Sequence, residues 1–334
     1  MSRPATSDLN SWTVEYNGPP RLDISLHKVF LTEGQDTTAV SIVKFSPDGK
    51  YLAAGLTNVA VIWDVASGEQ VCTLDHAQPN QLTTDNYVRA LCFSPDSTSL
   101  ATGAEDTLIR EKTYKRRIYT TLTGHELEVY TLLYTPEGLL ASGSGDETIR
   151  IWDLPSNNPH PRILSVGALP SGVTCIAISP DGRHLAGSYL DNAVRIWDLT
   201  TTNPVPVQEL KGYDEPVYGL VFSPDGRGLF TTSLDKMASH WDLTSGEVSV
   251  TFEGHTDFAI CCTTSPDGLW LFTSSKDETI KVWDTSSGEV QATIQGHRSS
   301  VISLDVISSG EYLASGGRDA MTRLWKLKPS LAAV

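Results

Sequence analysis

Long apolar runs are missing from this sequence of 334 residues. No stretch approaches the roughly 20 consecutive apolar residues that a transmembrane helix needs. The first residues, Met1 to Asn10, are polar and contain no apolar core followed by a small-residue cleavage site. We therefore expect neither a secretory signal nor a membrane partner.

Cysteine is also scarce. The chain has five cysteines, an odd number without a C-x-x-C pair: Cys72, Cys92, Cys175, Cys261 and Cys262. Histidines and cysteines do not cluster at metal-ligand spacings, so we expect neither a disulfide framework nor a metal site. Most of the cysteines lie in apolar, strand-like stretches, which is typical of buried free thiols in a reducing compartment. The pattern predicts a cytosolic or nuclear protein.

Basic residues are outnumbered by acidic ones. Lys and Arg total 25 against 40 Asp and Glu, which gives a net charge of −15. A surface of this sign repels a phosphate backbone and attracts a basic peptide, so we expect no direct binding of nucleic acid. A phosphate-binding glycine loop is missing as well, because Gly143-Ser144-Gly145 lacks a third glycine and a Lys-Ser/Thr pair. We expect no cofactor and no small-molecule substrate.

The sequence is, in contrast, rich in repetition. A phrase of the Ser-Pro-Asp-Gly type returns at intervals of 41 to 48 residues. Its seven copies begin at Ser46, Ser94, Thr135, Ser179, Ser223, Ser265 and, in a decayed form, Ile307. Proline, aspartate and glycine at these offsets specify a tight turn between two strands.

Two further phrases keep the same interval. Trp-Asp begins at Trp63, Trp152, Trp197, Trp241 and Trp283, and Gly-His begins at Gly124, Gly254 and Gly296. A repeat of about 40–45 residues with these phrases resembles the WD-repeat family, in which each repeat forms one four-stranded blade of a β-propeller. Seven repeats predict an all-β fold, a seven-bladed WD-repeat propeller.

The ends of the repeat region predict how the ring closes. The seventh repeat stops after its third strand, and the alternating segment Leu22–Phe30 precedes the first blade. In propellers of this family the N-terminal strand completes the last blade, which also removes an exposed sheet edge. We predict a lead-in over residues 1–21, the propeller over 22–327 and a C-terminal tail over 328–334.

Three repeats carry a His, a Ser or Thr, an Asp and a Trp at matching offsets. The sets are His125, Ser142, Asp146 and Trp152; His255, Thr273, Asp277 and Trp283; and His297, Ser315, Asp319 and Trp325. A hydrolase does not need three nucleophiles around a ring, and no G-x-S-x-G elbow accompanies them. In the WD-repeat family such residues form a buried hydrogen-bond network. The resemblance implies a structural role, and we expect no catalytic residue and no enzyme.

The repeats are unequal. In the second, Glu111-Lys112-Thr113 stands where Ile-Trp-Asp is expected, and no Gly-His precedes it. Two interpretations are open: drift in a blade that its neighbours hold, or a looser blade used as a partner surface. In the fifth repeat Tyr213 replaces the histidine, and the fourth repeat has neither.

Phrases outside the general WD pattern narrow the resemblance. Residues 12–17, 88–96 and 295–298 are similar to the propeller of Tup-type fungal transcriptional corepressors, which are relatives in role of the Groucho proteins. The resemblance implies a nuclear corepressor module that docks on DNA-bound repressors and basic histone tails. Tup-type proteins also carry an N-terminal helical segment for tetramerisation, whereas this sequence begins at the propeller. A fragment, a truncated paralogue and a lone propeller are all open.

One position in each repeat predicts where a partner binds. It follows the first core residue of the inner strand, at the expected channel mouth on the top face. It is occupied by Ser41, Arg89, Tyr130, Thr174, Tyr218, Ile260 and Ile302. Arg and Tyr are typical interface anchors, and Tyr87 joins them in the second repeat. The resemblance implies repressor contacts here, and the alternative is that some of these residues only line the channel.

Charged turns are expected beside this mouth. Glu105, Glu147, Asp214, Glu215 and Glu278 predict a negative rim that attracts basic tails.

Two functional hypotheses follow from the sequence, and in both the protein binds other proteins. The first is a corepressor propeller in the nucleus, which the Tup-like phrases favour. The second is a scaffold or adaptor of another complex, such as a ubiquitin ligase or a signalling assembly in the cytoplasm, that shares the fold alone.

Overall fold

The protein is built from β-strands. The computed structural model describes residues 11–31, 38–76, 86–113, 119–154, 160–164, 166, 171–202 and 205–330, which form 29 strands and no helix. Within these ranges there is accordingly no helix long and apolar enough to cross a membrane. The chain begins with β1 (Thr13–Tyr16) and β2 (Leu22–Phe30).

Seven antiparallel sheets contain the strands, and each sheet is one blade. Blade 1 contains β3 (Ile42–Phe45), β4 (Tyr51–Gly55), β5 (Val59–Asp64) and β6 (Gln70–Asp75). Blade 2 contains β7 (Val88–Phe93), β8 (Ser99–Ala104), β9 (Ile109–Thr113) and β10 (Tyr119–Leu122). Blade 3 contains β11 (Val129–Tyr134), β12 (Leu140–Ser144), β13 (Ile149–Trp152) and β14 (Arg162–Leu164).

The remaining blades follow the same order. Blade 4 contains β15 (Val173–Ile178), β16 (His184–Tyr189), β17 (Val194–Asp198) and β18 (Gln208–Leu210). Blade 5 contains β19 (Val217–Phe222), β20 (Gly228–Ser233), β21 (Ala238–Asp242) and β22 (Glu247–Phe252). Blade 6 contains β23 (Ala259–Thr264), β24 (Trp270–Ser275), β25 (Thr279–Asp284) and β26 (Val290–Gln295). Blade 7 contains β27 (Val301–Val306), β28 (Tyr312–Gly317) and β29 (Thr322–Pro329).

The core lies between the blades. The second strands β8, β20 and β24 are buried along their whole length, because neighbouring sheets cover both of their faces. At one such interface, Trp197 of blade 4 packs with Ile149 of blade 3 and Val173 of blade 4. Trp197, Trp283 and Trp325 are fully buried. A single blade cannot bury both faces, so each one depends on its neighbours.

The ring closes at blade 7. Strand β2 pairs antiparallel with β29 from Leu22 opposite Pro329 to Phe30 opposite Thr322, and so supplies the fourth strand of the last blade. The inner strand β27 in turn contacts β3 of blade 1. The seven-bladed all-β fold predicted from the repeats is confirmed.

The lead-in takes part in the ring, which the sequence did not indicate. Strand β1 pairs with β26 and becomes a fifth strand of blade 6, whereas β2 belongs to blade 7. The Tyr16 hydroxyl accepts a hydrogen bond from the Ile24 N–H at 2.9 Å. Arg21 pairs with Asp284 of blade 6 and lies over the ring of Trp270. Residues 12–30 therefore strap the last two blades together.

Side chains join the inner strands at the closing seam. Ser303 Oγ of blade 7 accepts from the Val43 N–H of blade 1 at 3.1 Å, and Asp305 accepts from the Phe45 N–H at 2.7 Å. Lys44 Nζ donates to the same carboxylate at 2.8 Å. The residues equivalent to Ser303 in two other blades make the same kind of contact with the next blade. Thr131 Oγ1 accepts a hydrogen bond from the Ile176 N–H, and Cys261 Sγ accepts one from the Leu304 N–H.

The bottom face, which carries the Ser-Pro-Asp-Gly turns, has its own contact between blades. A Cβ built on Gly268 would lie 3.5 Å from Pro224 Cδ of the preceding blade, and Gly182 repeats this contact with Pro136. Both glycines have φ near +70°, which favours glycine. The seam between blades 2 and 3 lacks the contact, since no atom lies within 4 Å of a Cβ built on Gly138.

The unusual second repeat supplies a polar link at that same seam. The Glu111 carboxylate accepts hydrogen bonds from Ser99 Oγ at 2.8 Å and from the Tyr134 hydroxyl of blade 3 at 2.9 Å. Burial and the carboxylate both raise the pKa of Tyr134, so its hydroxyl stays protonated and donates. Glu111, which stands where the repeat pattern has isoleucine, therefore links blade 2 to blade 3.

Ring closure can be tested by truncation. Deletion of residues 1–31 removes β1 and β2, leaves unpaired backbone groups on β29 and exposes a sheet edge. We expect aggregation or loss of cooperative unfolding, measured by light scattering and thermal melting. Deletion of residues 1–17 removes only β1 and is expected to leave a folded protein with a lower melting temperature. An unchanged, monomeric melting transition after the longer deletion would contradict this topology.

Candidate functional site

The predicted His, Ser or Thr, Asp and Trp residues lie within hydrogen-bond distance of one another. In blade 6, Trp283 Nε1 donates to Thr273 Oγ1 at 2.7 Å, and this hydroxyl lies 2.8 Å from His255 Nε2. His255 Nδ1 lies 2.9 Å from an Asp277 oxygen, which also accepts from the Thr256 N–H. The same contacts join His125, Ser142, Asp146 and Trp152 in blade 3 and His297, Ser315, Asp319 and Trp325 in blade 7.

The hydroxyl groups of these networks are inaccessible to solvent. The hydroxyl-bearing residues Ser142, Thr273 and Ser315 are fully buried. Burial alone would raise the pKa of Asp277, but the hydrogen bonds from His255 and Thr279 outweigh it and hold the pKa well below its usual range. Each network ties the segment before an inner strand to the turn between the second and third strands. These contacts are the ones that the predicted structural role requires.

Blade 2 contains a fourth histidine network that sequence reasoning missed. His76 Nε2 lies 2.9 Å from Thr102 Oγ1, the position of the network hydroxyl in the other blades. Arg110 donates to both oxygens of Asp106 and lies 3.2 Å from His76 Nδ1. No glycine precedes His76, so the Gly-His phrase is absent. Residues 77–85 also make the spacing from His76 to Thr102 longer than the spacing from histidine to hydroxyl in the other networks.

Arginine changes the state of this histidine. His76 is 2% exposed, and its Nδ1 faces the Arg110 guanidinium rather than a carboxylate. Burial and the charge of Arg110 together lower the pKa of His76 to about 4. The folded protein therefore holds His76 neutral, with Nδ1 as the acceptor and the Nε2–H as the donor to Thr102.

A channel of about 1070 Å³ runs along the inner strands. Six of the seven predicted partner-binding residues line it: Arg89, Tyr130, Thr174, Tyr218, Ile260 and Ile302. Tyr87 lies outside this lining, beneath the Arg89 guanidinium at 4.8 Å. Tyr130 and Tyr218 are about 40% exposed, whereas the other five are half-buried.

Two of the half-buried residues are engaged within the fold. Arg89 donates to Glu105 through Nε at 2.9 Å and through a terminal nitrogen at 2.5 Å. The Thr174 hydroxyl lies 2.8 Å from Ser188 Oγ and 2.5 Å from the Val217 carbonyl oxygen of blade 5. These contacts leave the two tyrosines as the better exposed members of the predicted ring.

The tyrosines belong to a larger apolar surface at the mouth. Tyr130, Leu190, Tyr218 and Phe258 come from blades 3, 4, 5 and 6 in order, and all are exposed. We call these four residues the apolar crescent. Gly145 and Gly172 lie between Tyr130 and Leu190, the first two residues of the crescent. A Cβ on Gly145 would lie 3.3 Å from the Tyr130 ring, and one on Gly172 would lie 3.3 Å from Leu190.

A second variable position lies beside the first. The N–H of the residue before each turn aspartate donates to the carbonyl that precedes the inner strand, as Lys276 does to Phe258 and Arg318 to Ser300. This position is occupied by Glu105, Gly145, Leu190, Leu234, Lys276 and Arg318 in blades 2 to 7. We call these six residues the turn ring. These positions can be identified in the sequence, because each residue directly precedes the turn aspartate of its repeat. The predicted partner-binding residues were taken only from the inner strands and the residues just before them.

The channel also holds four of the cysteines. Cys92, Cys175, Cys261 and Cys262 are among its lining residues. Burial raises the pKa of Cys175 to about 11, so its thiol stays protonated. Across the described ranges there is no group of three or more His, Cys, Asp or Glu side chains that could hold a metal ion.

Seven blades around a channel with an exposed apolar mouth define the class of β-propeller repeat proteins. Residues 27–64, 68–110, 116–153, 163–198, 204–242, 246–284 and 288–326 match the family described as WD domain, G-beta repeat. The chain belongs to this family, and the predicted WD-repeat identity is confirmed.

Transcriptional repressors are among its relatives. The chain is 38% identical to the transcriptional repressor rco-1 of Neurospora crassa over 173 residues, 51% of this chain and 27% of that protein. It is 39% identical to the general transcriptional corepressor tupA of Dictyostelium discoideum over 122 residues, 36% of this chain and 20% of that protein. It is 34% identical to the general transcriptional corepressor TUP1 of Saccharomyces cerevisiae over 179 residues, 37% of this chain and 24% of that protein. These matches confirm the Tup-type resemblance and span about a quarter of each relative.

The role of the networks can be tested at His255. His255→Ala removes the main hydrogen-bond donor of the buried Asp277, and the loss of a hydrogen bond to a charged group costs about 2 kcal/mol. We expect the free energy of unfolding in urea to fall by about that amount. The control is His184→Ala, a half-buried histidine outside the three networks, which is expected to change stability by less than about 0.5 kcal/mol. Equal effects of the two substitutions would refute a structural role for the network.

The state of His76 predicts a pH dependence. The pKa of His76 is about 4 in the folded protein against an ordinary 6.5, so the unfolded chain binds the proton more readily. Neutral His76 makes its full contribution to the free energy of unfolding above pH 6.5, and this contribution is lost as the pH falls towards 4. Between pH 7 and pH 5 we expect a loss of about 2 kcal/mol that is absent from His76→Gln, measured by urea unfolding. An identical pH dependence in both proteins would contradict this assignment.

Proposed function

We propose that the protein is a non-enzymatic corepressor-type propeller that binds DNA-bound repressors through the mouth of its channel, in the nucleus. The exposed Tyr130 and Tyr218 carry this proposal. A tyrosine offers a large apolar ring and a polar tip and loses little rotamer entropy on binding, so it serves well as an anchor. Both tyrosines are about 40% exposed although folding buries most aromatic rings of this chain.

The surroundings of the tyrosines support the same use. The apolar crescent places four large side chains on consecutive blades around one opening. Contiguous exposed apolar surface on a soluble protein is a feature of binding sites. The similarity to a transcriptional repressor and to a general transcriptional corepressor supports a role in repression for this chain.

Basic histone tails form a separate part of the proposal. The exposed carboxylates Asp214, Glu215 and Glu278 lie outside the described channel lining. Such carboxylates attract Lys and Arg through long-range charge, with an energy that salt screens. We assign basic tails to this outer rim and the repressor segment to the mouth.

The proposal predicts a separation of binding from folding. Tyr130→Ala combined with Tyr218→Ala removes two exposed anchors, and the loss of one such anchor costs about 2 kcal/mol of binding, roughly 30-fold in affinity. We expect partners recovered by affinity purification and mass spectrometry to be lost, while the melting temperature shifts by only a few degrees.

A matched pair of leucines provides the control. Leu190 in the crescent and Leu269 in a turn on the bottom face are about equally exposed, at 50% and 52%. Leu190→Ala is expected to weaken binding and Leu269→Ala to leave it unchanged. Recovery of repressors by the double tyrosine variant would refute the mouth as their site. Recovery of ubiquitin-ligase or signalling subunits by the wild type instead would favour the scaffold hypothesis.

A further inference from the structure

The channel lining has a charge opposite to that of the whole protein. The chain carries a net charge of −15. The described lining residues nevertheless include four cationic side chains, Lys44, Arg89, Lys276 and Arg318, and one carboxylate, Asp305. An acidic protein with a cationic channel concentrates its positive potential at one place, where field lines are focused.

The strength of each cation depends on its partner. Lys44 is held deep in the channel by Asp305 at 2.8 Å, and Arg89 is held by Glu105. Lys276 lies 3.4 Å from the half-buried Asp257, a longer contact that water screens. The positive charge left available at the mouth is therefore on blades 6 and 7.

Arg318 is the freest of these cations. It is exposed, it lines the channel, and its side chain has no polar partner among the described contacts. It occupies the turn-ring position of blade 7, next to Lys276 in the same ring. A guanidinium offers a planar fork of donors that matches a carboxylate. We call Lys276 and Arg318 the cationic pair.

The cationic pair and the apolar crescent meet at blade 6. The Lys276 ammonium lies 4.9 Å from the centre of the Phe258 ring, and the Lys276 N–H donates to the Phe258 carbonyl. The mouth is therefore apolar from blade 3 to blade 6 and cationic from blade 6 to blade 7. One short extended segment can span both regions, because the residues concerned line one opening.

We propose that the mouth selects a segment that combines large apolar side chains with an internal Asp or Glu, and that it rejects Lys- and Arg-rich segments. The apolar side chains lie on the crescent, and the carboxylate binds Arg318 with Lys276 beside it. This inference rests on the proposed function and adds the charge of the partner. Its basis is charge complementarity at the mouth and the apolar surface beside it.

The test begins with a random peptide library displayed on phage and selected against the whole chain of 334 residues. Enriched sequences are synthesised with an acetylated N-terminus and an amidated C-terminus, so that only side chains carry charge. Their affinities are measured by fluorescence anisotropy. We expect the enriched peptides to contain aromatic or aliphatic residues together with Asp or Glu.

A double-mutant cycle then locates the contact. Arg318→Glu should weaken binding by at least tenfold, because it replaces a charge-assisted hydrogen bond with repulsion. Arg183→Glu, at an exposed arginine in a bottom turn of blade 4, is the matched control and should leave the affinity unchanged. Changing the peptide carboxylate to an amide should weaken binding to the wild type but not to Arg318→Glu.

The outcomes separate this inference from the proposed function. Basic or uncharged enriched peptides that lose binding to the Tyr130→Ala, Tyr218→Ala variant would keep the mouth as the site and overturn the charge selection. Acidic peptides whose carboxylate contributes equally in the wild type and in Arg318→Glu would also overturn it. Acidic peptides that bind the double tyrosine variant as tightly as the wild type would instead refute the role of Tyr130 and Tyr218 as anchors. The absence of any enriched peptide would overturn both proposals.

Discussion

Closure of the ring is the constraint on which the rest of the structure depends. Each blade buries its two faces only against neighbours, so an open array would leave two apolar faces exposed. Pairing of β2 with β29 supplies the missing outer strand of blade 7. The Lys44–Asp305 pair and the Ser303 hydroxyl join the inner strands at the same seam. The channel mouth exists because these contacts hold all seven blades around one axis.

In the blades that contain a histidine network, the network and the turn ring use neighbouring positions of the repeat. The turn aspartate faces inward to the network, as Asp277 does with His255, while the residue before it faces the mouth, as Lys276 does. The network fixes the turn between the second and third strands, and this turn holds the turn-ring residue in place. Blades 6 and 7 keep the full network and also carry the cationic pair. The network residues are buried and recur from blade to blade, whereas the adjacent turn-ring residue differs between blades.

Parts of the fold and site could be predicted from local patterns, and others could not. The turn phrases predicted seven blades because each one specifies its own backbone geometry. Tyr130 and Tyr218 were predicted at the mouth because they share one repeat position. His76 was missed, since it stands outside the Gly-His phrase and the long segment before Asn86 hides its relation to Thr102. Strand β1 was missed because four residues carry too short an alternation to stand out.

The sequence by itself determined the number of blades, their boundaries and the residue types at each repeat position, because turns and alternation are local properties of the chain. Only the tertiary structure decided which of those positions share a surface. Leu190 and Tyr130 are distant in sequence, and they meet across Gly145 and Gly172 because adjacent blades place their turns side by side. The same arrangement brings Lys276 and Arg318 of this acidic chain to one opening, because their turns lie side by side only after the blades have stacked.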